Sequence, residues 1–215
     1  MSSGDLLQRF FVHRLIASLR AATAEIAVQS AQAVVEGGIR IVEVPYTTPG
    51  AMRVIVDIRR RFGDEVVVGI GDAPSIEIAD RAIKANAQFV TLPYDNAPLV
   101  EFCRKHRLLV IPAGATPREV ALVAEQGAAL VRVFPAAAFG GAVYIGHLRR
   151  ALPEVHLLAA GGVDLNEVPN YFRAGASVVA IGGGLFSPQT DATPNFDHLT
   201  ERARRLVTAL STPSA

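Results

Sequence analysis

Four charged side chains stand at or near the C-terminal ends of apolar, β-prone runs in this 215-residue chain: Arg20, Glu43, Asp72 and Arg132. Their types fit a small set of chemistries. A carboxylate can take and return a proton. A guanidinium can hold a carboxylate or phosphate, or stabilise charge developing on an oxygen. The stretch ALVRVFPAAAFGG, residues 129–141, poses the sharpest question, because Arg132 is the one charge in a run closed by Pro135. Arginine is seldom buried unless paired. A single charge at a strand end also reads as a solvated loop residue. Two cations and two anions on a shared facing can pair with one another, as buried charges must.

The elements that would position them recur along the chain. Short β-branched runs occupy residues 14–20, 39–44, 66–71, 88–93, 108–114, 129–134, 155–161 and 177–183. Segments of helical periodicity, several ending in glycine, lie between them. Strands alternating with helices predict βαβ units and a parallel sheet, and eight such units predict an α/β fold of the (β/α)8 TIM barrel type. A doubly wound open sheet is the alternative. An extra N-terminal helix over about residues 3–12 and a C-terminal helix over about 194–210 flank the barrel, and residues 211–215 read as a frayed tail. No linker divides the chain, so residues 1–215 read as one domain.

Alternate strand residues face a barrel's interior, and chemistry gathers at the strands' C-terminal ends. By that parity Ile16, Ser18 and Arg20 share a face, as do Ile41 and Glu43, then Val68, Ile70 and Asp72, then Leu130, Arg132 and Phe134. Glycines add a second feature. Gly161 and Gly162 follow the seventh run, and Gly182 and Gly183 follow the eighth. Loops in those two places often present backbone N–H groups to a phosphate, although tight turns alone would also use glycine.

Composition excludes several classes. Half the residues are hydrophobic and the net charge is +1, with no Trp and no basic tract, which predicts no nucleic-acid partner. No run is long and apolar enough for a bilayer, and the N-terminal residues do not form a signal peptide. Cys103 is the only cysteine, which suits a reducing, cytoplasmic setting, and its helical context predicts a packed thiol. His13, His106 and His156 precede or begin strands, while His147 and His198 lie in helical segments, so no histidine supports a metal site at the active face.

At EGGIRIVEVPYTTPGA, VVVGIGDA, AQFVTLPYD, IPAGATPRE, RVFPAAAFGG, AAGGVDLNEVPNYFRAGA and VVAIGGGLF, the chain resembles the 2-keto-3-deoxy-6-phosphogluconate / 4-hydroxy-2-oxoglutarate aldolase family. The resemblance runs from about residue 14 to about 186. It implies a homotrimer and a class I aldol cleavage, in which a strand lysine forms a Schiff base and a glutamate moves protons. By the same resemblance Glu43 is the proton-transfer glutamate and Arg20 lies near the substrate carboxylate. Pro93 and Pro135 stand beside the pocket, and Gly161, Gly162, Gly182 and Gly183 supply the phosphate-binding backbone. The departures are specific. Arg132 occupies the position of the family's lysine, Asp72 and Ala160 replace threonines, and Gly184 replaces a serine. A Schiff base needs a neutral primary amine, which a guanidinium does not provide. The only lysines, Lys84 and Lys105, fall on a helix's polar side and before a strand.

These features give three expectations. The first is an aldolase-family protein that binds a phosphorylated or carboxylated small molecule, a sugar acid or keto acid, without cofactor and without Schiff-base chemistry. Here Arg20, Asp72, Pro93 and Ala160 line the substrate half, and Asp72 pairs with Arg132. The second is a lyase or isomerase that uses Glu43 as base with Arg132 as electrostatic partner, or a variant in which Glu43 and Asp72 hold a divalent cation. The third is a structural or regulatory oligomer with a filled pocket.

Overall fold

A computed structural model describes residues 3–186 and 195–211. Of the tail expected at residues 211–215, Ser211 instead ends the C-terminal helix and residues 212–215 lie outside the described ones. The strands are β1 (Leu15–Ser18), β2 (Ile41–Pro45), β3 (Val67–Gly71), β4 (Phe89–Thr91), β5 (Leu109–Ile111), β6 (Ala113–Gly114), β7 (Val131–Val133), β8 (Leu157–Ala159) and β9 (Val178–Ile181). All the pairings are parallel, in the order β5-β4-β3-β2-β1-β9-β8-β7-β6. The two ends of that order are consecutive in the chain. Pro112 separates β5 from β6, so the fifth run pairs with β4 before the proline and with β7 after it. Proline has no N–H to give a ladder. Its carbonyl still accepts from the Arg132 N–H at 2.9 Å. The expected eight-stranded barrel is therefore present, with its fifth stave split in two.

Strand sequences sort into two apolar shells. Ile16, Ile41, Val67, Phe89, Ile111, Leu130, Leu158 and Val178 pack together inside the barrel. Their neighbours in sequence, such as Ala17, Val42, Val68, Val90 and Val179, join the larger shell under the helices. The first helix, α1 (Ser3–His13), does more than flank the barrel. Its Leu6 and Phe10 belong to the inner cluster, and the Phe10 ring meets Phe89 edge-on at 5.1 Å. Phe10 has no exposure and closes the end of the barrel away from the charged residues.

Parity holds for three strands and fails for the third. Val67 faces the interior, while Val68 and Ile70 face the helices. The inward positions of β3 are Gly69 and Gly71, and neither could carry a side chain. A Cβ on Gly69 would lie 2.5 Å from the Phe89 ring, and one on Gly71 would lie 2.5 Å from the Glu43 carboxyl. The inner volume beside β3 is thus filled by side chains from its neighbours.

The helices start on ordinary caps. Thr23 accepts from the Ile26 N–H to open α2 (Ala24–Glu36), and Ser75 accepts from Ile78 to open α4 (Ile76–Lys84). Thr116 and Glu119 form a reciprocal capping box at α6 (Pro117–Glu125). The C-terminal helix, counted in chain order as α9 (Phe196–Ser211), packs on α2. There Thr200 donates to the Ala33 carbonyl at 3.1 Å, and a Cβ on Gly37 would strike Ala203 at 2.4 Å. No helix among the described residues is long and apolar enough to cross a membrane.

A candidate anion-binding cavity at the C-terminal ends of the strands

A cavity of about 290 Å3 opens at the C-terminal ends of the strands, lined by Ser18, Arg20, Glu43, Asp72, Arg132, Phe134, Ala160, Gly161, Gly162, Val163, Asp164, Ala180 and Gly182–Gly184. Of the pocket residues expected from the sequence, Pro93 and Pro135 are missing from this lining. The strand end at Pro93 contributes instead the carbonyl of Leu92, which accepts from Arg132 Nη1 at 3.1 Å.

Glu43 is buried, with 1% exposure. Its strand register sets it directly beside Ser18 on β1 and Gly69 on β3. Ser18 Oγ donates to Oε1 and Thr91 Oγ1 donates to Oε2, both at 2.8 Å. Thr91 Oγ1 in turn accepts from the Asp72 N–H at 3.2 Å. Gly71 makes this arrangement possible, because any side chain there would collide with the carboxyl. Sequence reading placed Ser18 on the inward face without giving it a role, and it missed Thr91. The signal for both was a hydroxyl two residues after an inward apolar residue, Ile16 and Phe89 respectively.

Asp72 reaches the cavity by a route that strand alternation does not describe. The strand ends at Gly71, and Asp72 takes a left-handed backbone with φ +55°. Asp tolerates that region better than most residues. The turn brings its carboxylate to Arg132, with Nη1 to Oδ1 at 2.5 Å. Arg20, on the segment after β1, approaches the other oxygen at 3.6 Å and is two-thirds exposed. Arg132 is buried, with its guanidinium 4.3 Å above the Phe134 ring. Its Nε is buried with no acceptor. Nη1 serves Asp72 and Leu92, and the residue lines the cavity.

The glycine half is different in kind. Gly161 and Gly162 adopt φ +87° and +75°, and a Cβ on Gly161 would lie 2.8 Å from the Phe134 ring. Those two are required by the chain itself. Gly183 is not, since a Cβ there would meet nothing within 4 Å and its φ is not left-handed. The backbone N–H groups of Gly161, Gly162, Val163, Gly183 and Gly184 find no acceptor among the described residues. Asp164 also lines the cavity and accepts from the Asn166 N–H at 2.8 Å.

Neither lysine reaches this cavity. Lys84 is exposed on α4 and pairs with Asp80 at 2.6 Å, and Lys105 is exposed at the end of α5 (Ala97–Lys105). Cys103 is fully buried on α5, and burial pushes its thiol up to about 12. It is a packed residue with almost no thiolate at neutral pH. Among the described residues no cluster of three or more His, Cys, Asp or Glu side chains could hold a metal ion.

Comparison with known proteins places this arrangement. The family model for KDPG and KHG aldolase matches residues 8–201. The chain is 36% identical over 177 residues to the 2-dehydro-3-deoxy-phosphogluconate aldolase of Treponema pallidum, covering 82% of this chain and 83% of that one. It is 30% identical over 185 residues to the KHG/KDPG aldolase of Escherichia coli, covering 85% of each. Among solved structures, a native KDPGal structure superimposes with a TM-score of 0.82 at 26% identity, covering 92% of this chain and 94% of that one. The KDPG aldolase of Legionella pneumophila, with pyruvate captured as a covalent carbinolamine, gives a TM-score of 0.85 at 23% identity over 96% of this chain and 98% of that one. A (β/α)8 barrel and a family match across nearly its whole length make the chain a member of the KDPG and KHG aldolase family.

Proposed function

We propose that the protein binds a small anionic metabolite of the sugar-acid or keto-acid type at the strands' C-terminal ends, and that it does so without forming a Schiff base. The observation that carries this reading is the cation in the cavity floor. It is Arg132, and both lysines lie elsewhere on exposed helix positions. A guanidinium stays protonated and has no neutral amine to condense with a carbonyl.

The ligand's class follows from the two halves of the cavity. Arg20 and Arg132 are matched by Glu43 and Asp72, so the charged half is neutral in sum and does not attract an anion by net charge. The glycine half has five backbone donors without acceptors, which suit the oxygens of a phosphate. Gly183 supports the same reading, because its lack of a side chain leaves space that no protein group fills. The charged half offers Arg132 and the exposed Arg20 to a carboxylate or carbonyl oxygen. A filled, purely structural pocket fits poorly with an open volume of about 290 Å3. Assembly as a homotrimer and a cytoplasmic location are proposed from the family resemblance.

The test incubates purified protein with 2-keto-3-deoxy-6-phosphogluconate and a chelator, then with pyruvate and borohydride. The expected result is ligand-induced thermal stabilisation, no pyruvate release above control, and no reduced adduct by mass spectrometry. Release together with a trapped lysine adduct would refute the reading.

A further inference from the structure

Among the described residues that line the cavity, Ser18 alone carries a hydroxyl or a thiol. Its Oγ donates to Glu43 Oε1 at 2.8 Å, and Thr91 Oγ1 holds Glu43 Oε2 at 2.8 Å. A hydroxyl, a base within hydrogen-bond reach and a third group that orients the base form the arrangement that activates a nucleophile. The three differ in access as that role requires. Thr91 has no exposure and Glu43 has 1%, while Ser18 is partly exposed at the cavity wall. Both arginines contact Asp72, and among the described residues no cation pairs with Glu43 and weakens it as a base. The backbone beside Ser18 is fixed, since the Leu19 N–H donates to the Glu43 carbonyl at 2.7 Å and the Leu19 carbonyl accepts from Thr48 Oγ1 at 3.1 Å. Gly182 leaves the approach to Ser18 clear. A Cβ there would make only ordinary contact, 3.8 Å from the Ser18 Cβ, so packing does not demand a glycine.

We propose that Ser18 is a nucleophile and that the cavity hydrolyses the internal ester, or lactone, of a small phosphorylated sugar acid through an acyl-serine. The inference rests on the reading that the cavity holds an anion of this type. Glu43 takes the hydroxyl proton as Ser18 Oγ bonds to the ester carbon, and the carbonyl π pair moves to oxygen in a cavity lined by Arg20 and Arg132. The pair returns, the bond from the ester carbon to the ring oxygen breaks, and Glu43 gives that oxygen its proton. Water then attacks the acyl-serine, Glu43 takes a proton from the water, and Ser18 leaves with it. The net change is one lactone and one water for one open-chain hydroxy acid. Thr91 is a positioning residue.

The experiment uses intact protein and the 1,5-lactone of 6-phosphogluconate, with hydrolysis followed by proton release at constant pH. A rate above buffer and heat-denatured controls is expected. Ser18→Ala returns it to the control rate, and Glu43→Gln lowers it by about 10²-fold or more. Thr91→Val lowers kcat by about tenfold or more with KM held, and Thr91→Ser, which keeps the hydroxyl, restores it. A fluorophosphonate labels Ser18 of the parent protein, as peptide mass spectrometry would record, a readout that does not depend on how well any variant folds. Thermal stabilisation by 6-phosphogluconate with no lactone hydrolysis and no label on Ser18 overturns this inference and leaves the binding reading standing. Neither stabilisation nor hydrolysis overturns both. Hydrolysis unchanged in a folded Ser18→Ala protein overturns the assignment of the nucleophile.

Discussion

Removing either member of the Arg132–Asp72 pair isolates a charge, and the two losses differ in a way the structure predicts. With Asp72→Ala, Arg132 keeps only the Leu92 carbonyl and the Phe134 ring, at about 5% side-chain exposure. Leaving a buried charge uncompensated costs roughly 3–5 kcal/mol. With Arg132→Met, which keeps most of the volume, Asp72 retains Arg20 at 3.6 Å and 17% exposure of its own, so the cost falls to the lower end of that range or below it. The double variant Asp72→Ala/Arg132→Met removes both charges and is less destabilised than the two singles summed, by roughly 2 kcal/mol or more, since contacting charges couple by about 0.5–3 kcal/mol. In a chain of this size 1 kcal/mol moves Tm by about 2–4 °C, so Asp72→Ala is expected to lower Tm by about 6–20 °C. Calorimetry at one fixed protein concentration, which holds any assembly constant, makes the measurement. A Tm for Asp72→Ala within about 1 °C of the parent, or strict additivity in the cycle, would refute the claim that this pair carries stability.

Three further outcomes are expected. Gly183→Ala leaves Tm within about 2 °C of the parent, because its Cβ meets nothing within 4 Å, yet weakens phosphate-ester binding in calorimetric titration; Gly161→Ala, at φ +87° and 2.8 Å from the Phe134 ring, lowers Tm markedly. Cys103, fully buried and pushed up to about 12, resists a thiol reagent at pH 8 in the folded protein and reacts once the protein is denatured, as mass spectrometry of the alkylated product would record. Backbone hydrogen bonds from Thr116, then Ala115, hold the Glu119 carboxyl below its ordinary 4.5. A depressed carboxyl contributes stability that is full above the unfolded value and lost as pH falls through the folded one. Denaturant titrations of Glu119→Gln below pH 4.5 should therefore show a shallower acid decline than the parent.

Much of the molecule is legible in its sequence. The spacing of β-branched runs and helical segments determined alternating strand–helix units and a parallel sheet, because each such run must bury both faces and each intervening segment must cover one, while the strand order decided the barrel over an open doubly wound sheet. Residue type alone determined that Arg132 has no Schiff-base chemistry. Alternation set the facing of Ile16, Ile41 and Leu130 correctly, since strand period is a local property. It failed on β3, where Gly69 and Gly71 take the inward positions and leave the larger Val68 and Ile70 to the helix side. Asp72 entered the cavity by a left-handed turn rather than by parity. The fifth run read as one strand, but it changes partner at Pro112 because two neighbours claim its two halves. The Asp72–Arg132 pair was expected from the sequence and is present, and tertiary structure decided the rest of the pairing. Asp72, not Glu43, meets both arginines, and hydroxyls from β1 and the end of β4 converge on Glu43. Those contacts join residues 25 to 60 positions apart. The barrel's register sets their distances, and no local pattern in the sequence records it.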